Sequence, residues 1–342
     1  MSLDDNKRNA KDKYTWVMIL QVGYSLSSEE ASPLDLVRYA KRAEEIGFSF
    51  ALISDHYHPW IERQGHSPFA WAVIGGISQI TERLSLGTGV TCPIMRIHPS
   101  IIAQAAATAA LMMPGRFFLG LGTGENLNEH ILGQHWPPIE VRREMLKEAV
   151  QILRLLWQGG NHSYRGKYYT VENAQVFSRP DRPPLVMIAA SGTKSAELAG
   201  SIGDGLISTT ANERLVKTFH ALDGGAHKLC YGQMTVCWAE KEDEAKKIAM
   251  EWWPVAAVPG RLMSELRTPA EFEGVVELVS EDRVASSVIC GPDPDKYLAE
   301  IRAFAEAGFD HVYMHQVGPD QEGFFRFCQR EILAKLHARQ GL

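Results

Sequence analysis

Short apolar runs rich in β-branched and aromatic residues alternate with amphipathic helical runs along the whole 342-residue chain. That rhythm constrains the fold most, because strands separated by helices pair in parallel and need cover on both faces. Strands are expected at Thr15–Tyr24, Phe50–Ser54, Leu84–Val90, Phe117–Leu121, Leu185–Ala190, Gly205–Thr209, Tyr231–Trp238, Ser286–Cys290 and His311–His315. Helices are expected at Pro33–Ile46, Pro68–Ile80, Pro99–Met112, Glu140–Trp157, Lys194–Ile202, Glu213–Leu222, Lys241–Trp252, Pro294–Ala307 and Phe324–Leu336. The first helix has the clearest ends: Ser32 as N-cap, Pro33 at the first helical position and Gly47 just past the end.

About eight or nine strands spaced by helices form the pattern of an α/β chain closed into a (β/α)8 TIM barrel. An open doubly wound sheet is the competitor. It calls for a G-x-G-x-x-G turn after a strand, with an acid about 20 residues on, and none is present. Gly120–Gly124 carries a G-x-G-x-G string, but the sixth position is Glu125. One barrel domain is therefore expected over 14–342, with insertions near 159–184 and 253–280. The first is aromatic, Gly- and Pro-rich and reads as a surface excursion with a small hairpin; the second is irregular or helical without a strand. Residues 1–13 are polar and charged and read as a disordered tail rather than a signal peptide.

Several function classes drop out. Lys and Arg total 35 against 41 Asp and Glu, a formal charge of −6, and no basic cluster lines any face. Nucleic acid is not an expected partner, since phosphate backbones need concentrated positive charge. No apolar run is long enough to span a membrane. The five cysteines form no CxxC pair, so neither a disulfide framework nor a zinc site is suggested, and a cytoplasmic setting is expected. His56 and His58 lie two apart on a loop, but no third and fourth ligand follows, so no metal is assigned. His220, His227 and His337 fall on expected helix surfaces or loops and carry no signal.

The chemistry gathers where strands end. Phe50–Ser54 runs straight into Asp55-His56, with Trp60 shortly after. A buried parallel strand needs no charge at its end, and burying one without a partner costs several kcal/mol. An acid, a base and an indole at a strand C-terminus therefore mark a candidate active site. Other strand ends carry Glu29, Thr91 and Cys92, then Thr123, Glu125 and Asn128, then Ser191 and Gly192, then Thr209, Thr210 and Asn212. The small-residue turns Gly87–Val90 and Gly122–Glu125 let a backbone approach a flat ligand closely. Ala190-Ser191-Gly192-Thr193 opens a helix, either as a phosphate seat or as an ordinary Ser/Thr cap.

At these residues the chain resembles the bacterial luciferase-like barrel superfamily, and within it the coenzyme F420-dependent glucose-6-phosphate dehydrogenase group. The motifs are Gly23-Tyr24, Ser54-Asp55-His56 with Pro59-Trp60, Gly65–Phe69, Gly87–Val90, Ile102-Ala103-Gln104, Leu119–Glu129, Ala189-Ala190 and Gly203–Gly205. The resemblance implies a deazaflavin across the barrel mouth, held by Asp55, Gly89, Val90, Thr123, Gly124, Glu125, Asn128, Ala190, Ser191 and Gly192. It implies a non-prolyl cis peptide at Gly89-Val90. His56 becomes the general base for the substrate hydroxyl, a task suited to an imidazole. Glu125 serves the N1 side of the ring as proton partner, while Trp60 and Glu29 orient the substrate. A homodimer is implied too, with the Ala-rich helix Pro99–Met112 suited to close packing.

One part of the family pattern is missing. The dehydrogenase group holds its sugar phosphate with two lysines and an arginine, and the matching positions here are Asn212, Met263 and Ser287. With Thr209 they form the expected substrate pocket, and Arg261 or Arg267 is the nearest source of a replacement charge. The expected function is hydride transfer between C5 of F420 and the carbinol carbon of a small alcohol or sugar, with glucose 6-phosphate not held in the usual way. Two readings compete with it: an FMN-dependent monooxygenase of the same superfamily, and a non-catalytic deazaflavin- or flavin-binding protein.

Overall fold

A computed structural model describes residues 20–222, 224 and 228–336. The expected tail, the start of the first strand, His227 and His337 lie outside the described residues. Nine strands form one parallel sheet: β1 (Gln21–Leu26), β2 (Phe50–Ile53), β3 (Ser85–Thr88), β4 (Phe117–Leu121), β7 (Val186–Ala189), β8 (Gly205–Ser208), β9 (Leu229–Cys237), β10 (Ile289–Cys290) and β11 (His311–Gln316). β9 pairs with both β8 and β11, which closes eight of the strands into a barrel, while β10 adds two residues beside the end of β9.

Side-chain size sets how the lumen fills. Phe50, Leu52, Phe118, Met187, Ile207, Tyr231 and Tyr313 form the buried cluster inside the barrel. The rings fit because glycines stand opposite: a Cβ on Gly23 would lie 2.5 Å from the Phe50 ring, and one on Gly87 would strike Phe118. Large and small residues therefore alternate between neighbouring strands, giving a packed floor rather than a pore.

The outer layer follows helical amphipathicity and capping. In α1 (Pro33–Ile46) the Ser32 hydroxyl accepts from the Asp35 N–H, and Gly47 sits at φ 108°. Buried Glu44 on α1 accepts the backbone N–H groups of Glu82, Arg83 and Leu84 at 2.8, 2.6 and 2.9 Å. α2 (Ala70–Ile80), α3 (Pro99–Met112), α4 (Asn126–Glu129) and α5 (Ile139–Trp157) follow. The alanines of α3 bring it close to α5, where Trp157 Nε1 donates to the Ala103 carbonyl at 2.9 Å. β5 (His162–Arg165) and β6 (Thr170–Ala174) make an antiparallel hairpin inside 159–184. α6 (Thr193–Ile202), α7 (Glu213–His220) and α8 (Glu242–Trp252) complete the middle of the ring.

After α8, a short 3-10 turn (Pro254–Ala257), α9 (Gly260–Glu265) and α10 (Pro269–Val276) lie against the mouth. Val255 and Phe272 from this segment pack with Trp60, Ile61 and Leu127 in a cluster apart from the main core. Two expectations are corrected further on. Only Ile289–Cys290 of the run 286–290 is strand, because the helical turn α11 (Glu281–Ala285) extends to Ser286 and buries Val284 and Val288 on one face. After α12 (Pro294–Glu306), the last helix begins earlier than expected, as α13 (Gln321–Phe327), and becomes a π-helix over Cys328–Leu333.

Candidate active site

β2 delivers the pair of residues that dominates the mouth. Its four residues are fully buried, and the chain leaves the strand at Ser54. Ser54 Oγ and Ser27 Oγ donate to Glu29 Oε2 at 2.6 and 3.1 Å. The other oxygen of Glu29 lies 3.2 Å from His56 Nδ1, and the His58 carbonyl oxygen is 3.3 Å from the same nitrogen. An Nδ1–H held by a carboxylate fixes the tautomer and leaves the Nε2 lone pair as the basic position. Burial pushes the Glu29 carboxyl up, but His56 and the Ser54 hydroxyl outweigh it and hold the group below its ordinary value. Glu29 therefore remains a carboxylate beside the imidazole. The Trp60 indole meets the His56 ring at 4.9 Å and is backed by Phe272 at 5.2 Å.

The expected cofactor residues divide into two sets. Asp55 is fully enclosed: Thr91 Oγ1 donates to Oδ2 at 2.7 Å and Arg96 to Oδ1 at 2.8 Å. Asn128 braces the loop, accepting from the N–H groups of Tyr57 and His58 at 2.8 and 3.2 Å. These two residues shape the mouth from beneath. Glu29 likewise lies behind His56, at 3% side-chain exposure.

The second set forms a cradle. The Gly89-Val90 bond is cis, and the space of a Gly122 Cβ is taken by Val90, 2.7 Å away. Gly124 has φ 70° with Cys92 directly beneath it. A Cβ on Gly192 would meet nothing within 4 Å, beside the small residues Ala189 and Ala190. Half-buried Thr123 and Glu125 flank this wall. A side chain on Gly122 or Gly124 would collide with the protein, so the wall stays thin enough for a flat ring system. At the start of α6 the N-cap is Gly192, and the N–H groups of Ser191 and Gly192 donate to Ser195 Oγ at 3.3 and 3.1 Å, so Ser195 rather than Ser191 or Thr193 satisfies this end.

The expected substrate residues are not gathered. Thr209, Asn212 and Ser287 are exposed. Asn212 caps α7, its Oδ1 accepting from Leu215 N at 3.1 Å, and Ser287 Oγ donates to the Arg283 carbonyl at 3.4 Å. Met263 packs against the Trp60–Phe272 cluster. Arg261 and Arg267 are exposed.

Sequence reasoning missed a buried ionic layer under the cradle. Glu129 accepts the N–H groups of Met95 and Arg96 at 3.2 and 2.7 Å, and Arg96 Nε lies 3.7 Å from its other oxygen. Burial raises the Glu129 carboxyl despite these partners. Arg142 donates to the Gly124 carbonyl at 3.3 Å and to Glu265 of α9 at 3.1 Å, which ties the 253–280 segment to the cradle. An arginine following the apolar run Pro93–Met95 in the loop between β3 and α3 was the available signal. Among the described residues, no group of three or more His, Cys, Asp or Glu converges to hold a metal.

Fold and site define a parallel barrel whose mouth pairs a carboxylate-oriented histidine with a glycine-lined wall. The chain belongs to the luciferase-like monooxygenase family, whose model matches residues 13–311. A protein named F420-dependent glucose-6-phosphate dehydrogenase from Microbacterium testaceum is 37% identical over 331 residues, covering 94% of this chain and 98% of that one. Its namesake from Beutenbergia cavernae is 35% identical over 333 residues, 94% and 99% of the two chains. Among solved structures, an F420-dependent secondary alcohol dehydrogenase in complex with an F420-acetone adduct superposes with a TM-score of 0.85 at 31% identity, over 93% of this chain and 99% of that one.

Proposed function

We infer that this chain is an F420-dependent oxidoreductase acting on a small alcohol, with His56 as its base. The observation that carries the chemistry is the Glu29–His56 contact at 3.2 Å beside Trp60. When bound, the deazaflavin supplies a ring carbon, C5, that exchanges hydride with the carbinol carbon. The glycine wall from Gly89 to Gly124 and the Ala190–Gly192 turn fit such a ring, with Thr123 and Glu125 at its edge. His56 Nε2 takes the hydroxyl proton of the alcohol, and Glu29 stabilises the imidazolium that results. Trp60, with Phe272 behind it, walls the reacting carbon from water.

The substrate is an uncharged alcohol rather than a sugar phosphate. Asn212 serves a helix cap, Met263 lies in an apolar cluster and Ser287 is a solvent-facing hydroxyl, so none supplies a cation for a dianion. The acetone adduct of the structural neighbour supports the same direction. Five buried free thiols support a reducing, cytoplasmic setting.

A homodimer is part of the proposal. Among the described residues no helix is long and apolar enough to cross a membrane. Yet the α2–α3 face leaves Phe69 and Ile101 each 56% exposed beside a groove of about 280 Å³ lined by Trp71, Ile74, Ala105 and Met112. A second copy of this chain would cover that face. Ile101→Glu should shift the mass in sedimentation to that of a monomer; an unchanged dimer would place the interface elsewhere.

Side-by-side fluorescence titration with F420 and FMN, followed by an alcohol panel, tests the central reading. Saturable F420 binding and reduction of F420 by at least one alcohol is the expected result. Tight FMN binding with oxygen uptake would replace the reading with a monooxygenase. F420 binding with no turnover by any alcohol would leave a carrier protein.

A further inference from the structure

We propose that His315 is a second substrate contact, and that the substrate carries a hydroxyl beside its reacting carbinol. The inference rests on the dehydrogenase reading above and adds a specificity residue to it. Strand alternation places His315 on the lumen face of β11. His311 stacks on Tyr231 at 4.1 Å and Tyr313 belongs to the lumen cluster, so His315, two residues further on, lines the mouth.

The histidine is held much as His56 is held. Consecutive residues of one turn supply both carboxylates: Glu29 to His56 and Glu30 to His315, whose Nε2 lies 3.2 Å from Glu30 Oε2. The other oxygen of Glu30 accepts the Gly318 N–H at 3.1 Å. The two imidazoles also face a shared wall. Trp60 packs on His56, Trp253 packs on His315 at 4.3 Å, and Trp253 borders the cluster that contains Trp60.

His315 Nδ1 has no hydrogen-bond partner among the described residues, on a side chain only 3% exposed. A buried polar atom without a hydrogen bond is costly, and such a group in a binding mouth is explained by a ligand. In the neutral imidazole Nε2–H donates to Glu30, so Nδ1 is an acceptor. It takes a hydroxyl or amine hydrogen and gains nothing from an ether or ketone oxygen. A vicinal diol, one hydroxyl to His56 and the other to His315, is the simplest matching ligand.

The test compares propan-2-ol, propane-1,2-diol and 1-methoxypropan-2-ol as F420 reductants for the wild type, His315→Phe and His315→Gln. The wild type should favour the diol over its methyl ether in kcat/KM by about tenfold. His315→Phe keeps the aromatic contact with Trp253 and should abolish that preference, bringing the kcat/KM ratio of diol to methyl ether down to about one. His315→Gln retains an acceptor and should keep part of the preference. Should His315→Phe not fold, Glu30→Gln/His315→Phe carries the same expectation without an unpaired buried carboxylate. A wild type indifferent to the ether, or equal losses on all three alcohols, would overturn the inference and leave the dehydrogenase standing. No turnover of any alcohol would overturn the dehydrogenase itself, and this inference with it.

Discussion

The two sides of the barrel mouth are built on opposite plans. Under the ends of β2, β3 and β4, Asp55, Thr91, Arg96 and Glu129 bind one another through buried hydrogen bonds and ion pairs, and Asn128 holds the Tyr57 and His58 N–H groups. Across the mouth, around the end of β8 and the 260–287 segment, Thr209, Asn212 and Ser287 are exposed, and the hydrogen bonds of Asn212 and Ser287 are local. A network that long-range bonds over-determine tolerates little change, whereas solvated residues with local bonds can be replaced freely. The tied side thus suits the proposed cofactor cradle and proton route, which call for fixed geometry. The loose side suits what differs, the substrate.

The largest expected effect lies at the junction of the two sides. His56→Ala removes the proposed base and should lower kcat about 10²–10⁴-fold with F420 Kd nearly unchanged, because the proposed cradle lies mainly on other strands. Stopped-flow reduction of F420 alongside a fluorescence titration separates the two quantities. An unchanged kcat would move the base, with Glu29 or His58 next to be examined.

Arg96→Met strikes the tied side alone. It leaves Asp55 and Glu129 buried with fewer partners, and breaking such an arrangement costs about 3–5 kcal/mol. Thermal unfolding should report a loss of that size, and F420 affinity should fall with it. Ser287→Arg, an exposed change on the loose side, should stay within about 0.5 kcal/mol of wild type. Equal effects from the two would erase the contrast.

How much of this was legible in the sequence follows the same division. The ends of α1 were readable because Ser32, Pro33 and Gly47 act within their own turn. His56 and Trp60 were readable because they close a buried strand within a few residues. Arg96 with Asp55 and Arg142 with Glu265 were not, since partners 41 and 123 residues apart leave no spacing signal. The run 286–290 misled for another reason: Val284 and Val288 are buried at helical spacing, and so short an apolar run does not separate strand from helix.

A third test uses two buried carboxylates at opposite ends of the barrel. Glu29 at the mouth is held down by an imidazole and a hydroxyl, whereas Glu44 at the base is held by backbone N–H groups, which outweigh burial and bring it to about 2. A carboxyl lowered in the folded state adds stability above its unfolded value near 4.3, and that stability is lost as pH falls towards 2. Glu44 should contribute about 2–3 kcal/mol in this way. Urea titrations from pH 6 to 3 should show a decline that Glu44→Gln flattens. A parallel decline in that variant would assign the acid sensitivity to other carboxylates.

The smallest expected effect probes the loose side directly. Met263→Lys with Ser287→Arg places two cations where the dehydrogenase relatives' pattern has them, and leaves Asn212 to cap α7. Replacing that cap as well would cost about 1 kcal/mol and confuse the result. Ser287 is exposed, so an arginine there keeps its hydration and attracts a phosphate weakly. Met263 is half-buried against the Trp60 cluster, so a lysine there must extend its stem along that apolar surface to reach water. The gain in glucose 6-phosphate affinity should therefore be modest, about tenfold, and should fade as salt rises. Competition against the alcohol substrate at two ionic strengths measures it. A gain that ignores salt would mean the phosphate sits in a desolvated pocket, and the loose side would then be more enclosed than its exposed residues imply.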